Sequence, residues 1–230
     1  DEDLMGATFG NNTFVAVGYS GKIVRSTDNG TTWDNATSPT DKTIYGVAFG
    51  NNTFLAAAAA GNIVRSTDNG SSFDNVTSSS PVQNHYEVAF GNNTFVVVQH
   101  RQYIVRSEDN GASFNDASSP GVANNYYGVG FGNNTFVAVG YSGNIIRSTD
   151  NGSSFDNATP AGSANNLWGA GFGNNTFVGT THWGKIVRST DNGSSFDNVT
   201  SPTTRNLNAV TFGNNTFLAV GGRCHYLQSC

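Results

Sequence analysis

Short apolar runs separated by turn residues recur along the whole chain. Residues 44–49 and 53–58 are largely apolar, 63–66 form a shorter run, and 73–77 are half polar. Gly, Asn and Asp separate these runs, and apolar residues at helical spacing are absent. The pattern predicts four short β-strands, A to D, joined by turns in each repeat. Strand B is apolar on both faces, as expected for a strand sandwiched between neighbouring sheets.

The predicted turn between strands A and B carries a phrase that repeats. Phe-Gly-Asn-Asn-Thr-Phe begins at Phe9, Phe49, Phe90, Phe131, Phe172 and Phe212. A spacing of 40 or 41 residues corresponds to a supersecondary unit, so repeats start near 5, 45, 86, 127, 168 and 208 in a single domain of residues 1–230. Four-stranded units repeated radially predict an all-β, six-bladed β-propeller with antiparallel blades.

The two ends of the chain are the weak point of this prediction. The last blade is short, with strand C expected near 225–229 and no strand D. Residues 1–4 are barely long enough to complete that blade from the N-terminal side, so the closure of the ring is left open. Cys224 and Cys230 both lie in the last seven residues and cannot form a disulfide framework for the fold.

The low fraction of charged residues and the negative net charge argue against several classes of binding partner. Only 12% of residues are charged, and the formal net charge is −5 with 11 basic residues. Nucleic-acid binding needs clustered Lys and Arg, so it is not expected. No apolar run approaches the roughly 20 residues of a membrane span. The chain begins at Asp1 rather than Met, which is compatible with a removed leader, and we expect a secreted protein.

The predicted turn between strands C and D carries a second motif. Residues 26–33 fit the pattern Ser-x-Asp-x-Gly-x-x-Trp, and the pattern recurs with Phe in the last place from Ser66, Ser107, Ser148 and Ser189. The chain therefore resembles the Asp-box (BNR-repeat) propellers, which include sialidases, sortilin-type receptors and the photosystem-assembly-factor-like propellers of bacteria. In such a turn the Asp is expected to accept hydrogen bonds from its own turn, Asn-Gly to supply positive φ, and the aromatic to anchor the hairpin. Five equivalent copies indicate a structural role.

Sialidase activity is disfavoured by the supply of residues. That chemistry uses, in the family, three arginines, a Tyr–Glu pair and an Asp acid. Here Arg25, Arg65, Arg106, Arg147 and Arg188 occupy one repeated strand-C position and are expected to be structural. Tyr86 and Glu87 are the sole candidate pair, and adjacent strand residues point to opposite faces. A glycoside hydrolase, which would need Glu87 and Asp41 to approach each other, stays a third hypothesis, and we expect no enzyme.

The repeats divide into an unchanging and a changing part. In an up-and-down blade the A–B and C–D turns share one face, here called the scaffold face, and their sequences barely change among the repeats. The B–C and D–A connections share the opposite face, here called the varied face. All four histidines and two of the three tryptophans fall on it. Four residues before each strand-A Phe stand Met5, Tyr45, Tyr86, Tyr127, Trp168 and Asn208.

Aromatic rings beside amide and charged side chains are typical of sugar-binding sites. The leading hypothesis is thus a non-enzymatic, lectin-like propeller that binds a glycan or glycoprotein at several sites on the varied face. The alternative is a protein-interaction or assembly scaffold with one contiguous epitope on that face. The predicted ligand-binding residues are Trp168, Trp183, His182, Tyr127, Tyr86, His100, Arg101, Tyr45 and Tyr19. No cofactor or metal is expected, because His85, His100, His182 and His225 come from separate repeats without ligand spacing.

Overall fold

The computed structural model describes residues 2–78, 83–120, 124–162 and 165–222. In these ranges the chain forms β-strands and five short 3-10 turns, with no α-helix and hence no helix that could cross a membrane. The strands build five four-stranded antiparallel units and a final two-stranded sheet. This is the predicted all-β architecture, whereas six complete blades are not established.

The strands follow one another in chain order within each unit. Units 1 and 2 contain β1 (Leu4–Gly10), β2 (Thr13–Gly18), β3 (Ile23–Ser26), β4 (Asp34–Asn35), β5 (Ile44–Gly50), β6 (Thr53–Ala58), β7 (Ile63–Ser66) and β8 (Asp74–Ser78). Units 3 and 4 contain β9 (His85–Gly91), β10 (Thr94–Gln99), β11 (Ile104–Ser107), β12 (Ser113–Asp116), β13 (Tyr126–Gly132), β14 (Thr135–Gly140), β15 (Ile145–Ser148) and β16 (Asp156–Asn157). Unit 5 and the final sheet contain β17 (Leu167–Gly173), β18 (Thr176–Thr181), β19 (Ile186–Ser189), β20 (Asp197–Val199), β21 (Asn206–Gly213) and β22 (Thr216–Gly222).

The strands predicted for the second repeat agree with unit 2 to within one residue at each end. Strands β6 and β7 have the predicted bounds, β5 runs one residue further, and β8 is shifted by one. The strand predicted at 225–229 lies outside the described residues, together with Cys224, His225 and Cys230. At the other end of the chain, Leu4 already belongs to β1, which pairs with β2 as the innermost strand of unit 1.

Neighbouring units pack face to face, and a hydrophobic cluster fills each of the four junctions among the first five units. Between units 1 and 2, Val15 and Val17 of β2 pack with Phe54 and Ala56 of β6. Every residue of β6 is buried, as expected for a strand covered on both faces. Burial of this kind stabilises a side chain such as Phe54 by about 2 kcal/mol. The junctions between units, rather than one central core, therefore hold the fold together.

The repeated Phe-Gly sequence forms a close contact between neighbouring units, in which a Phe ring of one unit covers a Gly of the unit before it; this contact is here called the lock. The ring of Phe131 in unit 4 covers Gly91 of unit 3 so closely that a Cβ at Gly91 would overlap with it. The same contact joins Gly10 to Phe49, Gly50 to Phe90, Gly132 to Phe172 and Gly173 to Phe212. Glycine is thus required at this position wherever a following unit is present. The two Asn residues of the phrase have positive φ, for example 47° at Asn51 and 56° at Asn52, which a tight hairpin turn of this type requires.

The threonine of the phrase bonds the next unit. The amide of Asn69 donates to Thr13 Oγ1 at 2.6 Å. Asn110 reaches Thr53, Asn151 reaches Thr94 and Asn192 reaches Thr135 at the same distance of 2.6 Å. These asparagines belong to the C–D turns, so both turns of the scaffold face are joined across four junctions.

The C–D turns have the internal geometry expected for them. In unit 3, Asp109 Oδ1 accepts hydrogen bonds from Ser107 Oγ at 2.7 Å and from the backbone N–H of Ser113 at 3.0 Å. Burial, the largest single contribution, would raise the pKa of Asp109, but the hydrogen bonds together outweigh it and lower the pKa to about 2. The aromatic that closes the motif, Phe114, is buried. Arg65 Nε donates to the Asn110 carbonyl of the next unit at 2.8 Å, which supports the structural role predicted for the repeated arginines.

The two ends of the array expose surfaces that are buried elsewhere. Leu218 of β22 is 59% exposed, although Leu55 at the equivalent position of unit 2 is 0% exposed. Phe9 of β1 is 53% exposed. Among the described residues, a Cβ at Gly213 would have no neighbour within 4 Å. This part of the chain therefore contains five inter-unit locks and two uncovered end surfaces.

Candidate functional site

The B–C turns and the D–A connections lie together, as the division into two faces requires. In units 1 to 5 each B–C connection is a 3-10 turn, and its first residue bonds to the backbone just before the innermost strand of its own unit. In unit 3 the N–H of His100 donates to the carbonyl of Asn84 at 3.0 Å, and in unit 2 the N–H of Ala59 donates to Thr43 at 2.8 Å. The varied face is thus a continuous row of turns and strand ends.

The middle residue of each 3-10 turn, here called the tip residue, has a left-handed backbone. The φ values are 52°, 57°, 59°, 53° and 67° at Ser20, Ala60, Arg101, Ser142 and Trp183. This conformation costs a residue other than glycine roughly 1 kcal/mol. An asparagine from the next unit offsets the cost in four units by accepting the N–H of the tip residue. The distances are 3.1, 2.9, 2.9 and 3.1 Å for Asn84, Asn125, Asn166 and Asn206.

The tip residues are all exposed, and four different residue types, Ser, Ala, Arg and Trp, occupy the five positions. Because the hydrogen bond to asparagine uses only the backbone, it fixes the turn without restricting the side chain. The tip is therefore a position at which different side chains can be displayed on one rigid frame. Trp183, 62% exposed, is the largest of them.

The aromatic residues at the start of the innermost strands form one continuous row, here called the aromatic crescent. It consists of Tyr45, Tyr86, Tyr127 and Trp168, is continued by His182 of the 3-10 turn in unit 5, and crosses four units. The ring centroids lie 5.5 Å apart for Tyr45–Tyr86, 5.3 Å for Tyr86–Tyr127, 4.4 Å for Tyr127–Trp168 and 4.9 Å for Trp168–His182. The last two contacts are stacked, whereas the Tyr45 and Tyr86 rings are tilted by 55°. All five residues are half-buried.

A β-bulge places each of the strand residues of the crescent. In β9 the pairing runs from His85–Gln99 to Glu87–Val98, so Tyr86 is the extra residue. The register shifts in the same way around Tyr45, Tyr127 and Trp168. A bulge re-aims side chains and interrupts strict alternation. Neighbouring rings consequently meet across the junctions instead of entering the hydrophobic clusters.

The tyrosine hydroxyls of neighbouring units are close enough to affect one another electrostatically. Burial raises the pKa of Tyr45, and the hydroxyl of Tyr19 adds to this effect. Burial also raises the pKa of Tyr86, with contributions from the hydroxyls of Tyr127 and Tyr45. The Asn125 amide donates to the Tyr127 hydroxyl at 3.2 Å. The crescent therefore combines hydroxyl and amide groups with apolar rings.

Trp168 and His182 add an indole N–H and a neutral imidazole to the polar groups of the crescent. Trp168 Nε1 is buried and has no hydrogen-bond partner among the described residues. Burial lowers the pKa of His182 below its ordinary value, so its imidazole is neutral near pH 7 and can stack on the indole. A buried N–H without a partner is uncommon, and it is a natural point for an acceptor from a bound molecule.

Glu87 follows Tyr86 in β9 and has an unusual environment. Its side chain is half-buried, and Oε1 accepts the N–H of Val88 at 3.0 Å. The carboxylate occupies the space above Gly46 of β5, where a Cβ would overlap with it. Burial raises the pKa of Glu87 to about 7, and no neighbouring charged group contributes to the shift.

A catalytic carboxylate pair is not assembled from the two acids considered. Asp41, the partner considered from the sequence, is 83% exposed and forms an ion pair with Lys42 at 2.9 Å. The hydrogen bond from Lys42 lowers the pKa of Asp41, while Glu87 shows no effect of a second carboxylate. Neither shift therefore shows the mutual effect of two neighbouring carboxylates that a close hydrolytic pair would produce.

The predicted ligand-binding residues fall into two groups. Tyr45, Tyr86, Tyr127, Trp168 and His182 are brought together in the crescent, and Tyr19 lies beside Tyr45. His100, Arg101 and Trp183 belong to the 3-10 turns of the same face and lie outside the row of stacked and tilted rings. His100 Nδ1 lies 3.1 Å from Gln83 Oε1.

Sequence reasoning missed the asparagines that hold the tip residues and the burial of Glu87. The asparagines carried a signal, because an Asn precedes the innermost strand at Asn84, Asn125 and Asn166 and begins it at Asn206. The sequence also held a signal at Glu87, because glycine occupies the equivalent position in four other units, at Gly6, Gly46, Gly128 and Gly169.

No other part of the described chain competes with the varied face as a site. No group of three His, Cys, Asp or Glu residues in the described ranges is arranged to hold a metal ion. An open recess of about 250 Å³ lies beside the C–D turn of unit 3 and is lined by Arg106, Glu108, Asp109, Ser113, Asn115 and Asp116. There Arg106 forms an ion pair with Glu108, and Asp109 is engaged in its own turn.

Comparisons with known proteins support the fold. No family model matches the chain, and no curated protein matches it. Among solved structures, one described as YCF48 bound to D1 peptide has a TM-score of 0.68 and 18% identity, covering 89% of this chain and 69% of that one. The computationally designed Ika8 protein has a TM-score of 0.73 and 14% identity, covering 94% and 67%. YCF48 from Cyanidioschyzon merolae has a TM-score of 0.60 and 13% identity, covering 95% and 92%. At these identities the likeness is one of fold, and the fold is that of a β-propeller.

Proposed function

We propose that the varied face binds a partner protein through an extended polypeptide segment that lies along the aromatic crescent. The observation that carries the proposal is the crescent itself, a half-buried row of five rings that continues across four units. A row of this kind offers one long contact surface rather than separate pockets. We infer no catalysis, because Glu87 lacks a partner carboxylate among the described residues.

The chemistry of the surface suits a polypeptide. Tyrosine, tryptophan and arginine are enriched among the residues that dominate protein–protein binding energy. Trp183 and Arg101 stand exposed at tip positions whose backbone is already fixed by Asn206 and Asn125. A preorganised surface loses little conformational entropy on binding. Tyrosine hydroxyls can bond to peptide groups of the partner, and so can the Trp168 N–H, which has no partner among the described residues.

The structural neighbours support the same class of partner. One of them is YCF48 with a bound D1 peptide. Proteins that share a fold can bind unrelated ligands. The likeness therefore supports only the general mode of binding, in which a protein of this fold holds a peptide. We further infer that the C–D turns are Asp boxes and that the chain is related to the assembly-factor type of Asp-box propeller. The hydrogen bonds of Asp109 within its turn support this inference.

The stacking in the crescent favours a protein over a glycan. A sugar packs on an open ring face, but Trp168 is stacked between Tyr127 and His182 at 4.4 and 4.9 Å, so both of its faces are covered. The tyrosine hydroxyls of the crescent can both donate and accept hydrogen bonds, which suits a peptide backbone. The carbohydrate hypothesis from the sequence stays a prediction without support from the comparisons.

A displayed library of random twelve-residue peptides tests the proposal. The full chain is expected to enrich a common motif, and Trp183→Ala or Trp168→Ala should weaken the selected peptide by about tenfold, as for a central aromatic contact. Trp33→Ala is the matched control, because Trp33 is an exposed aromatic, at 45%, in a scaffold-face turn. Thermal melting confirms that each variant is folded.

Two results would count against the proposal. One is the absence of any enriched peptide. The other is equal loss of binding for Trp33→Ala and Trp183→Ala, which would place the contact outside the varied face. A glycan panel run in parallel would favour the carbohydrate hypothesis if sugars bind and peptides do not.

A further inference from the structure

The innermost strands, all within the described residues, carry a single carboxylate. Strands β1, β5, β9, β13, β17 and β21 contain Gly, apolar, aromatic and neutral polar residues, with Glu87 as their one acidic residue. The equivalent position is glycine in four other units and Ala209 in the final sheet. The acid is thus a specific feature of unit 3 rather than a part of the repeated frame.

Glu87 and two rings of the crescent meet in one junction. The Tyr86 ring contacts the Tyr45 ring across the boundary between β9 and β5, with centroids 5.5 Å apart. The Glu87 carboxylate crosses the same boundary and lies against the backbone of Gly46, the neighbour of Tyr45. The bulge at Tyr86 explains how successive residues of β9 can reach the same junction.

No cation of the described residues pairs with the Glu87 carboxylate. In the ranges that the structure describes, ion pairs join Lys42 to Asp41 and Arg106 to Glu108, and none reaches Glu87. The carboxylate accepts a hydrogen bond from the N–H of Val88. A half-buried carboxylate without a cationic partner is unfavourable in the free protein, which is why its pKa is raised to about 7. A positive charge placed beside it would remove this cost.

The two tyrosines supply the other half of a cation site. Their rings are tilted by 55° relative to each other, so neither ring is stacked flat on the other. Aromatic faces attract lysine and arginine side chains, more strongly where water is partly excluded. Both residues are half-buried, which leaves an approach from the varied face.

We propose that Glu87, Tyr45 and Tyr86 form a receptor for one cationic side chain, lysine or arginine, of the bound polypeptide. This inference rests on the proposed function, since it names the chemistry that the partner segment must carry. The partner lies along the crescent and inserts its cationic side chain at the junction of units 2 and 3. Its long apolar stem packs on the rings while the charge meets the carboxylate.

Small probes test the receptor directly. N-acetyl-lysine methylamide and N-acetyl-norleucine methylamide are titrated into the full chain, and the ring-proton resonances of Tyr45 and Tyr86 are followed by NMR. The lysine probe should bind at least about fivefold tighter than the norleucine probe, which keeps the stem but lacks the charge. Glu87→Gln should reduce that preference to less than about twofold, because the shape stays and the charge is lost.

The control is Glu2→Gln, which removes one negative charge from an exposed residue near the end of the chain and should preserve the preference. Tyr86→Leu tests the contribution of the aromatic ring apart from that of the acid, and it should weaken the lysine probe more than the norleucine probe. Equal binding of the two probes to the wild-type chain would overturn the proposal. So would an unchanged lysine preference in Glu87→Gln.

The displayed-peptide experiment keeps the two proposals apart. If peptides are enriched with a fixed lysine or arginine on the wild type and without one on Glu87→Gln, both proposals hold. If peptides are enriched without a basic position, the polypeptide function stands and the cation receptor falls. If no peptide is enriched but the lysine probe binds selectively, the receptor stands and the polypeptide function falls.

Discussion

The two faces of the molecule fix their backbones in different ways. On the scaffold face, side chains bond to side chains, as in the contact of Asn69 with Thr13 at 2.6 Å. On the varied face, the asparagine side chain bonds to a backbone N–H of the tip residue, as Asn125 does to Arg101 at 2.9 Å. The first arrangement requires particular residues on both partners. The second requires only the asparagine and leaves the tip side chain free to vary.

This difference explains why the repeats agree on one face and differ on the other. Phe, Gly, Asn and Thr of the repeated phrase each contact a neighbouring unit or form the turn itself, so each unit has to repeat them. Four of the tip residues are held through their backbone N–H groups instead. The variation among their side chains is therefore structurally tolerated, and these side chains are available for a function.

Among the substitutions considered, Gly91→Ala on the scaffold face should lower the free energy of unfolding most. The added Cβ would overlap with the Phe131 ring, and the ring has little room to move because it packs in the cluster between units 3 and 4. We expect a loss of about 3 kcal/mol in the free energy of unfolding, at the upper end for overpacking. Denaturant unfolding followed by tryptophan fluorescence measures it.

Gly213→Ala is the matched control for this lock. Gly213 occupies the equivalent position in the last repeat, and no described residue lies within 4 Å of an added Cβ. The change should stay within about 0.5 kcal/mol, as for ordinary surface substitutions. An equal loss in both variants would mean that intrinsic backbone preference, and not the contact with the following Phe, requires the glycine.

Most of the strands and turns can be predicted from the sequence, whereas much of the geometry of the candidate site cannot. Apolar runs and Asn-Asn or Asn-Gly turns were sufficient to predict β6 and β7 with their observed bounds. The period located Tyr45 and Trp168 at equivalent positions. The bulges could not be predicted, because an extra residue in a strand is defined only by its pairing with the neighbour. The burial of Glu87 likewise depends on the glycine of another unit, forty-one residues away in the chain.

Glu87 offers a pH-dependent test of the varied face. Its folded-state pKa of about 7 lies above the ordinary value of 4.5, so the folded state binds the proton more tightly than the unfolded state. The favourable contribution is complete below pH 4.5 and is lost as the pH rises through 7. Glu87→Gln should therefore match the wild type near pH 4.5 and exceed it at pH 8 by roughly 2 kcal/mol, allowing for residual solvent contact.

Urea unfolding at several pH values measures this difference, and Glu2→Gln serves as the exposed control. A difference that does not change between pH 4.5 and 8 would show that the carboxyl is solvated in the folded chain. It would also remove the physical reason for a cation receptor at this junction.

The smallest expected effect concerns the bond that holds a tip residue. Asn125→Ala removes the acceptor for the N–H of Arg101, whose φ of 59° is unfavourable for arginine. We expect a loss of about 1 kcal/mol in the free energy of unfolding, the typical value of one such hydrogen bond. Asn124→Ala, one residue earlier in the same connection, should have less than half of this effect, and denaturant unfolding measures both.

A double variant shows whether the asparagine acts through the tip conformation. When Asn125→Ala is combined with Arg101→Gly, the loss should shrink, because glycine adopts positive φ without strain. If Asn125→Ala is as harmful in the Arg101→Gly background as in the wild type, the asparagine acts through its contact with the Tyr127 hydroxyl at 3.2 Å. The left-handed tip would then be stable without the Asn125 acceptor. The aromatic crescent, through Tyr127, would be what keeps this part of the varied face rigid.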